Sequence, residues 1–154
     1  MKELRRLSAA GQLTGAAAHF MAPTKAAEEL YDLRADPHET RNLAGLPEFQ
    51  PVLQRMRAVH LQWARDTRDL SLLPETEMRA RAEGSSPYEI ARRGDTFPLE
   101  RLLQAADLTR LGVEALPKMI EALKDGDSAV RYWGASALTA LGAKAQPAAD
   151  ALAK

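Results

Sequence analysis

From Arg101 onward the sequence repeats itself at an offset of 30 residues, and no other feature narrows the possible folds as much. With Arg101 laid on Arg131, Ala105 falls on Ala135, Leu108 on Leu138, Thr109 on Thr139, Leu111 on Leu141, Gly112 on Gly142, Ala115 on Ala145 and Pro117 on Pro147. A constant offset over so many positions argues duplication. Each unit reads as a helix closed by Leu-Gly, a short link, a proline in the first turn of the next helix, and a second helix. That is the pattern of a stacked helical hairpin.

Composition agrees with helices packed through small residues. The chain has 154 residues, enough for one ordinary domain or two small ones, and its 45% apolar fraction is largely Ala and Leu with only 5% aromatics. Lys plus Arg and Asp plus Glu number 21 each, so the basic excess of a nucleic-acid or membrane-surface binder is missing and no nucleic-acid partner is expected. There are no cysteines, which excludes disulfides, thiolate metal sites and a cysteine nucleophile. No apolar run approaches the roughly 20 residues that a membrane-spanning helix needs. The start, Met1 to Leu7, is basic but leads into Ser8-Ala9-Ala10-Gly11-Gln12, too short and interrupted for the core of a signal peptide.

Ahead of the repeats, Lys2 to Ala10 reads as a short amphipathic helix with Leu4 and Leu7 on one face, stopped by Gly11, and Thr14-Gly15 opens a second helical piece before Pro23. Leu30, Tyr31 and Leu33, bounded by Asp32 and Arg34, predict one strand of a small sheet that Asp36-Pro37 must end. Phe49, Val52, Leu53, Met56, Val59 and Trp63 recur at steps of three and four after Pro47, which predicts an amphipathic helix to about Asp69. His60, on the edge of that stripe, reads as a helix residue without a ligand role. Residues 71–98 carry Pro74, Gly84, Pro87, Gly94 and Pro98 around a charged helical piece, and read as a connector able to pack through Leu72, Leu73, Met78, Tyr88 and Ile90.

Two stretches resemble known families. Leu116 to Arg131, continuing through Ala135 to Gly142, resembles HEAT repeats of bacterial proteins, with Asp127-Ser128-Ala129-Val130-Arg131 as the specific core. Asp127 or Ser128 can cap the helix and Val130 can enter the core between helices. The resemblance implies a ladder of contacts between Asp127-type and Arg131-type residues of successive repeats. The first repeat departs from the pattern, with Phe97-Pro98-Leu99-Glu100 in place of the acidic cap. The earlier stretch Glu28-Glu29-Leu30-Tyr31-Asp32-Leu33-Arg34-Ala35-Asp36-Pro37-His38-Glu39-Thr40-Arg41-Asn42-Leu43-Ala44 is similar to the strand and turn that type I sulfatases, nearest the heparan N-sulfatase-like members, carry after their catalytic core. The expected fold is therefore mainly α: a small α+β sulfatase C-terminal subdomain piece over residues 1–70, a connector over 71–98, and about two HEAT-like hairpins of an α-solenoid over 99–154. Because about three or more repeats usually bury a stable stack, and the last pattern breaks off at Lys154, the chain reads as truncated at both ends.

The resemblance implies an enzyme parent that hydrolyses sulfate esters or sulfamates with a formylglycine and a calcium ion, both belonging to an N-terminal domain. This chain alone is expected to be non-catalytic and to hold no cofactor or metal. Ser85-Ser86-Pro87-Tyr88-Glu89 ends in Glu where the formylglycine motif needs Arg. Asp32, Asp36 and Glu39 straddle a strand and a turn, whereas a hard divalent cation wants about six converging oxygens. Tyr31, Asp32, Asp36, Pro37, Glu39 and Asn42 are thus expected to build the turn, with Asp36, Glu39 and Asn42 satisfying backbone donors. His19, Lys25 and His38 are the polar loop residues that can hold an anionic sulfated sugar at a pocket rim. Tyr132 and Trp133 suit either packing between repeats or a recognition patch. The expected partner is the sulfatase catalytic domain of a periplasmic or extracellular parent. The alternative is a non-catalytic repeat module that binds a protein through its helices. If a catalytic domain normally covers the strand edges and the Phe49 to Trp63 face, the isolated chain is expected to be marginally stable or to self-associate.

Overall fold

The computed structural model describes residues 1–94 and 96–152. The chain is mainly helical and divides into two compact units, Met1–Val59 and His60–Lys154. Asp95 of the expected connector and residues 153–154 of the expected repeats lie outside the described residues.

In the first unit, α1 (Lys2–Ala9) carries a Glu3–Arg6 pair one turn apart at 2.7 Å and ends where Gly11 takes φ +64, a conformation that favours glycine. Helix α2 (Gly15–Phe20) follows Thr14. The core of this unit is small: Leu30, Leu43 and Leu53, with Leu46, Phe49 and Val52 packed around them. Pro47 opens a 3-10 turn, Pro47–Phe49, that leads into α3 (Gln50–Thr67), the helix expected from the apolar steps, whose residues after Val59 belong to the second unit. It ends two residues before Asp69 because Arg68 turns to φ +54 and the Asp69 carboxylate caps a 3-10 turn, Leu70–Leu72, through the Ser71 amide at 3.0 Å.

The expected strand at Leu30 to Leu33 does not form, and there is no strand among the described residues. A strand needs a neighbouring backbone, and here a side chain stands in for most of one. The Asn42 amide accepts from the Leu30 N–H at 3.0 Å and donates to the Glu28 carbonyl at 3.2 Å, while one true backbone bond, Leu43 N–H to the Leu30 carbonyl, closes at 2.8 Å. Donor and acceptor are satisfied without a ladder.

In the second unit, α4 (Glu75–Arg81), α5 (Pro87–Ile90), α6 (Leu99–Asp107), α7 (Leu116–Ala122), α8 (Ser128–Leu141) and α9 (Ala149–Leu152) surround two apolar clusters. Residues 71–98 are part of this core: Leu73, Ile90, Ala91 and Phe97 are buried against Leu99, Leu102, Ala105 and Val130, with Leu72 and Met78 beside them. Tyr88 is exposed instead, under the Arg92 guanidinium at 3.5 Å from its ring centre. In the second cluster, Leu108 and Ala115 of the first sequence unit are buried beside Leu138 and Ala145 of the second, so the duplicated positions share one core. The equivalent hydroxyls also act alike, Thr109 bonding back to the Ala106 carbonyl at 2.7 Å and Thr139 to that of Ala135 at 2.9 Å. The two units differ at their second helices. Pro117 sits in the first turn of α7, whereas Pro147 lies inside a 3-10 segment, Gly142–Ala148, that precedes α9.

Candidate functional site: a pinned loop and a bridged helix cap

The loop from Glu28 to Ala44 is held almost entirely by carboxylates and amides of its own sequence. Asp36 accepts from the Thr40 and Arg41 amides, both at 2.8 Å, and from the Thr40 hydroxyl at 2.9 Å. Those backbone donors, Arg41 first and then Thr40, hold its carboxyl below the ordinary 3.8. Asp32 accepts from the Arg34 amide at 3.1 Å and its carbonyl receives the Asp36 amide at 2.8 Å. Pro37 presets the turn, and Glu39 takes φ +53 within it. Asn42 ties the two ends together through Leu30, Glu28 and the Ala44 amide, the last at 2.9 Å. Tyr31 lends its hydroxyl to Glu29 at 3.1 Å. A further clamp has no local sequence signal: the Arg57 guanidinium grips the Glu28 carboxylate with two nitrogens from 29 residues away.

Calcium does not fit these carboxylates, because Asp36 and Asp32 are already turned onto backbone N–H groups rather than onto a shared point. No group of three or more His, Asp or Glu side chains converges to hold a metal among the described residues. Nor does a formylglycine fit at Ser85. Its hydroxyl donates to Glu89 at 2.5 Å, and Ser86 and Glu89 form a reciprocal capping box at the start of α5. Of the expected sugar-binding residues, His19 is exposed on α2, and Lys25 and His38 are exposed in the loops that follow. None of the three side chains makes a hydrogen bond among the described residues.

Replacing Asn42 with alanine leaves the Leu30 and Ala44 amides without their acceptor, a cost of about 1–3 kcal/mol for a part-buried loop of this kind. Amide hydrogen exchange at Leu30 and Ala44 is expected to accelerate while exchange in α8 stays unchanged.

The second cluster sits at the start of α8. Asp127 caps that helix, accepting from the Ala129 amide at 2.9 Å and the Val130 amide at 3.3 Å, and Val130 is buried in the first apolar cluster. Its carboxylate is simultaneously held by Arg81 of α4 through two bonds, 2.8 and 3.0 Å. Arg81 further donates to Glu77 at 3.0 Å and to the Thr96 carbonyl at 3.0 Å, and Ser128 closes the ring by donating to Glu77 at 2.6 Å. Asp127 thus meets Arg81, and Arg131 donates to the Asp125 and Gly126 carbonyls, while Arg101, its counterpart in the first sequence unit, pairs with the Asp125 carboxylate at 2.9 Å. Glu77 and Arg81 stand four residues apart, a spacing visible in the sequence; their reach to Asp127 is not. Trp133 packs and donates its indole N–H to the Leu72 carbonyl at 2.7 Å, whereas Tyr132 is exposed.

Both acids of this ring are shifted downward. For Asp127, burial opposes ionisation, but Arg81 and the cap amides outweigh it and hold the carboxyl below 3.8; for Glu77, the Ser128 hydroxyl and then Arg81 hold it below 4.5. Carboxylates depressed on folding stabilise above their unfolded values and lose that contribution as pH falls through the folded ones. The urea midpoint is therefore expected to drop as pH goes from neutral to about 3, and Asp127→Asn should flatten that drop.

A shallow groove of about 580 Å³ lies along α6 and α7, floored by Ala105, Leu108 and Ala122 and rimmed by Arg101, Lys118 and Glu121. No helix among the described residues is long and apolar enough to cross a membrane.

No protein-family profile matches the chain, and no solved structure matches it. Among characterised proteins, the chain is 38% identical over 78 residues to an ulvan-active sulfatase of Formosa agariphila, a match that takes in 51% of this chain. The matched stretch spans only 13% of that sulfatase's length. The chain thus contains a sulfatase-related region.

Proposed function

We propose that the chain is a non-catalytic C-terminal region of a formylglycine-dependent sulfatase, in which residues 1–70 support the catalytic domain and the helix pairs after residue 99 stack as HEAT-like repeats. The observation that carries this reading is the 38% identity over 78 residues to the ulvan-active sulfatase. The pinned Glu28 to Ala44 loop supports it physically. A loop whose Asp32 and Asp36 carboxylates are turned onto its own backbone is suited to present a fixed shape to a neighbouring domain and unsuited to hold calcium. In the parent, taken as a periplasmic or extracellular enzyme, His19, Lys25 and His38 would contribute hydrogen bonds to a sulfated glycan at the pocket rim.

The groove along α6 and α7 favours a second reading, a repeat module that binds a protein partner. Calorimetric titration of the chain into a sulfatase catalytic domain from the same source separates the two. Saturable binding that Asn42→Ala weakens supports the accessory role, and the absence of any binding heat contradicts it.

A further inference from the structure

Helix α3 carries an exposed apolar stripe among the described residues. Met56 is 54% exposed, Val59 65% and Trp63 52%, and their steps of three and four place them on one stripe. The next side of the helix carries two opposite charges. Arg55 makes no ion pair among the described residues, and Asp66 meets only the Gln62 amide, at 2.7 Å. Eleven residues are about three helical turns, so Arg55 and Asp66 share one flank of the stripe, about 16 Å apart along the axis.

We infer that this face docks on the same face of a second copy of the chain, with the two α3 helices antiparallel. A two-fold axis perpendicular to both helices puts the N-terminal half of one beside the C-terminal half of the other and keeps each flank on its own side. Arg55 of each copy then faces Asp66 of the other, giving two identical ion pairs from two charges that are otherwise unmatched. The midpoint between Arg55 and Asp66 falls at residues 60 and 61, within one residue of the midpoint between Met56 and Trp63. The register that pairs the charges therefore also buries the apolar side chains against each other. A parallel pair, related by an axis along the helices, would put the two charged flanks on opposite sides of the seam and leave both charges unpaired. His60, stacked on Trp63 with ring centres 6.1 Å apart, holds the indole from the opposite flank. The inference does not depend on the sulfatase reading.

Sedimentation equilibrium of the full chain tests it. The expected result is a reversible monomer–dimer equilibrium in the micromolar range, since one helix face is a small interface. Val59→Glu should weaken it by about tenfold or more with helical circular dichroism unchanged. Because that variant can fail for other reasons, the charges give the decisive comparison. Arg55→Asp or Asp66→Arg alone should weaken the dimer by about 5- to 10-fold, and the two together should restore it. A chain that stays monomeric throughout overturns the inference. So does a dimer indifferent to the single reversals, or a double reversal no tighter than either single one.

Discussion

Asp127→Ala is expected to cost the helical unit about 2–4 kcal/mol, read as a lowered urea midpoint with an unchanged slope. Two losses combine at one atom group. The α8 N-terminus loses its cap, worth about 1 kcal/mol at a typical site. In addition, Arg81, whose side chain is only 15% exposed, loses two of its acceptors while staying charged and largely shielded from water. Glu77 and the Thr96 carbonyl remain to hold it, which keeps the cost below that of a fully orphaned buried charge. Asp127→Asn separates the contributions: the amide oxygen can still cap, so that variant should recover about 1 kcal/mol of the loss. Equal losses in the two variants would mean that the cap contributes nothing.

An effect of similar size is expected where α8 crosses α7. Gly134 is buried, and a β-carbon there would stand 2.9 Å from the Ala122 β-carbon, 3.1 Å from the Met119 carbonyl oxygen and 3.2 Å from the Ala122 carbonyl carbon. Two of those three atoms are backbone and cannot swing away, so the helices must separate. Gly134→Val is expected to destabilise by about 3 kcal/mol or more through overpacking. Gly134→Ala adds the same β-carbon and should also destabilise, but by less than valine, because it lacks the two methyl groups and leaving glycine inside a helix returns about 1 kcal/mol of propensity. Thermal unfolding of both variants checks this, and a valine variant as stable as the parent would show that the close approach does not constrain the packing.

What could be read in advance follows from how local each interaction is. Helices α1, α2, α3 and α8 announce themselves through apolar steps and through Gly11, Pro47 and Asp127 at their ends. The shared core was legible because Leu108 and Leu138, like Ala115 and Ala145, recur at a fixed offset, and all four lie in one apolar cluster. The strand was misread because the alternation of Leu30, Tyr31 and Leu33 measures a local preference, while a strand exists only if another backbone comes alongside. Asn42 took that place with its side-chain amide, twelve residues on. Residues 71–98 showed only part of their packing in advance, through Leu72, Leu73, Met78 and Ile90. Phe97 is a single large side chain between breakers, without a period, yet it is buried almost completely. At the candidate site the roles of Asp36, Asn42 and Asp127 as backbone acceptors follow from short-range turn and cap chemistry. The Glu28–Arg57 and Arg81–Asp127 pairs join distant segments, and no spacing rule reaches that far.

Sulfate release from a panel of sulfated sugars and a generic aryl sulfate tests the central proposal most directly, comparing the chain alone with its mixture with a sulfatase catalytic domain from the same source. The account predicts no turnover by the chain alone and a higher rate in the mixture than with the catalytic domain by itself. Sulfate release by the chain alone would contradict it, because Ser85, Asp32 and Asp36 are already committed to other hydrogen bonds.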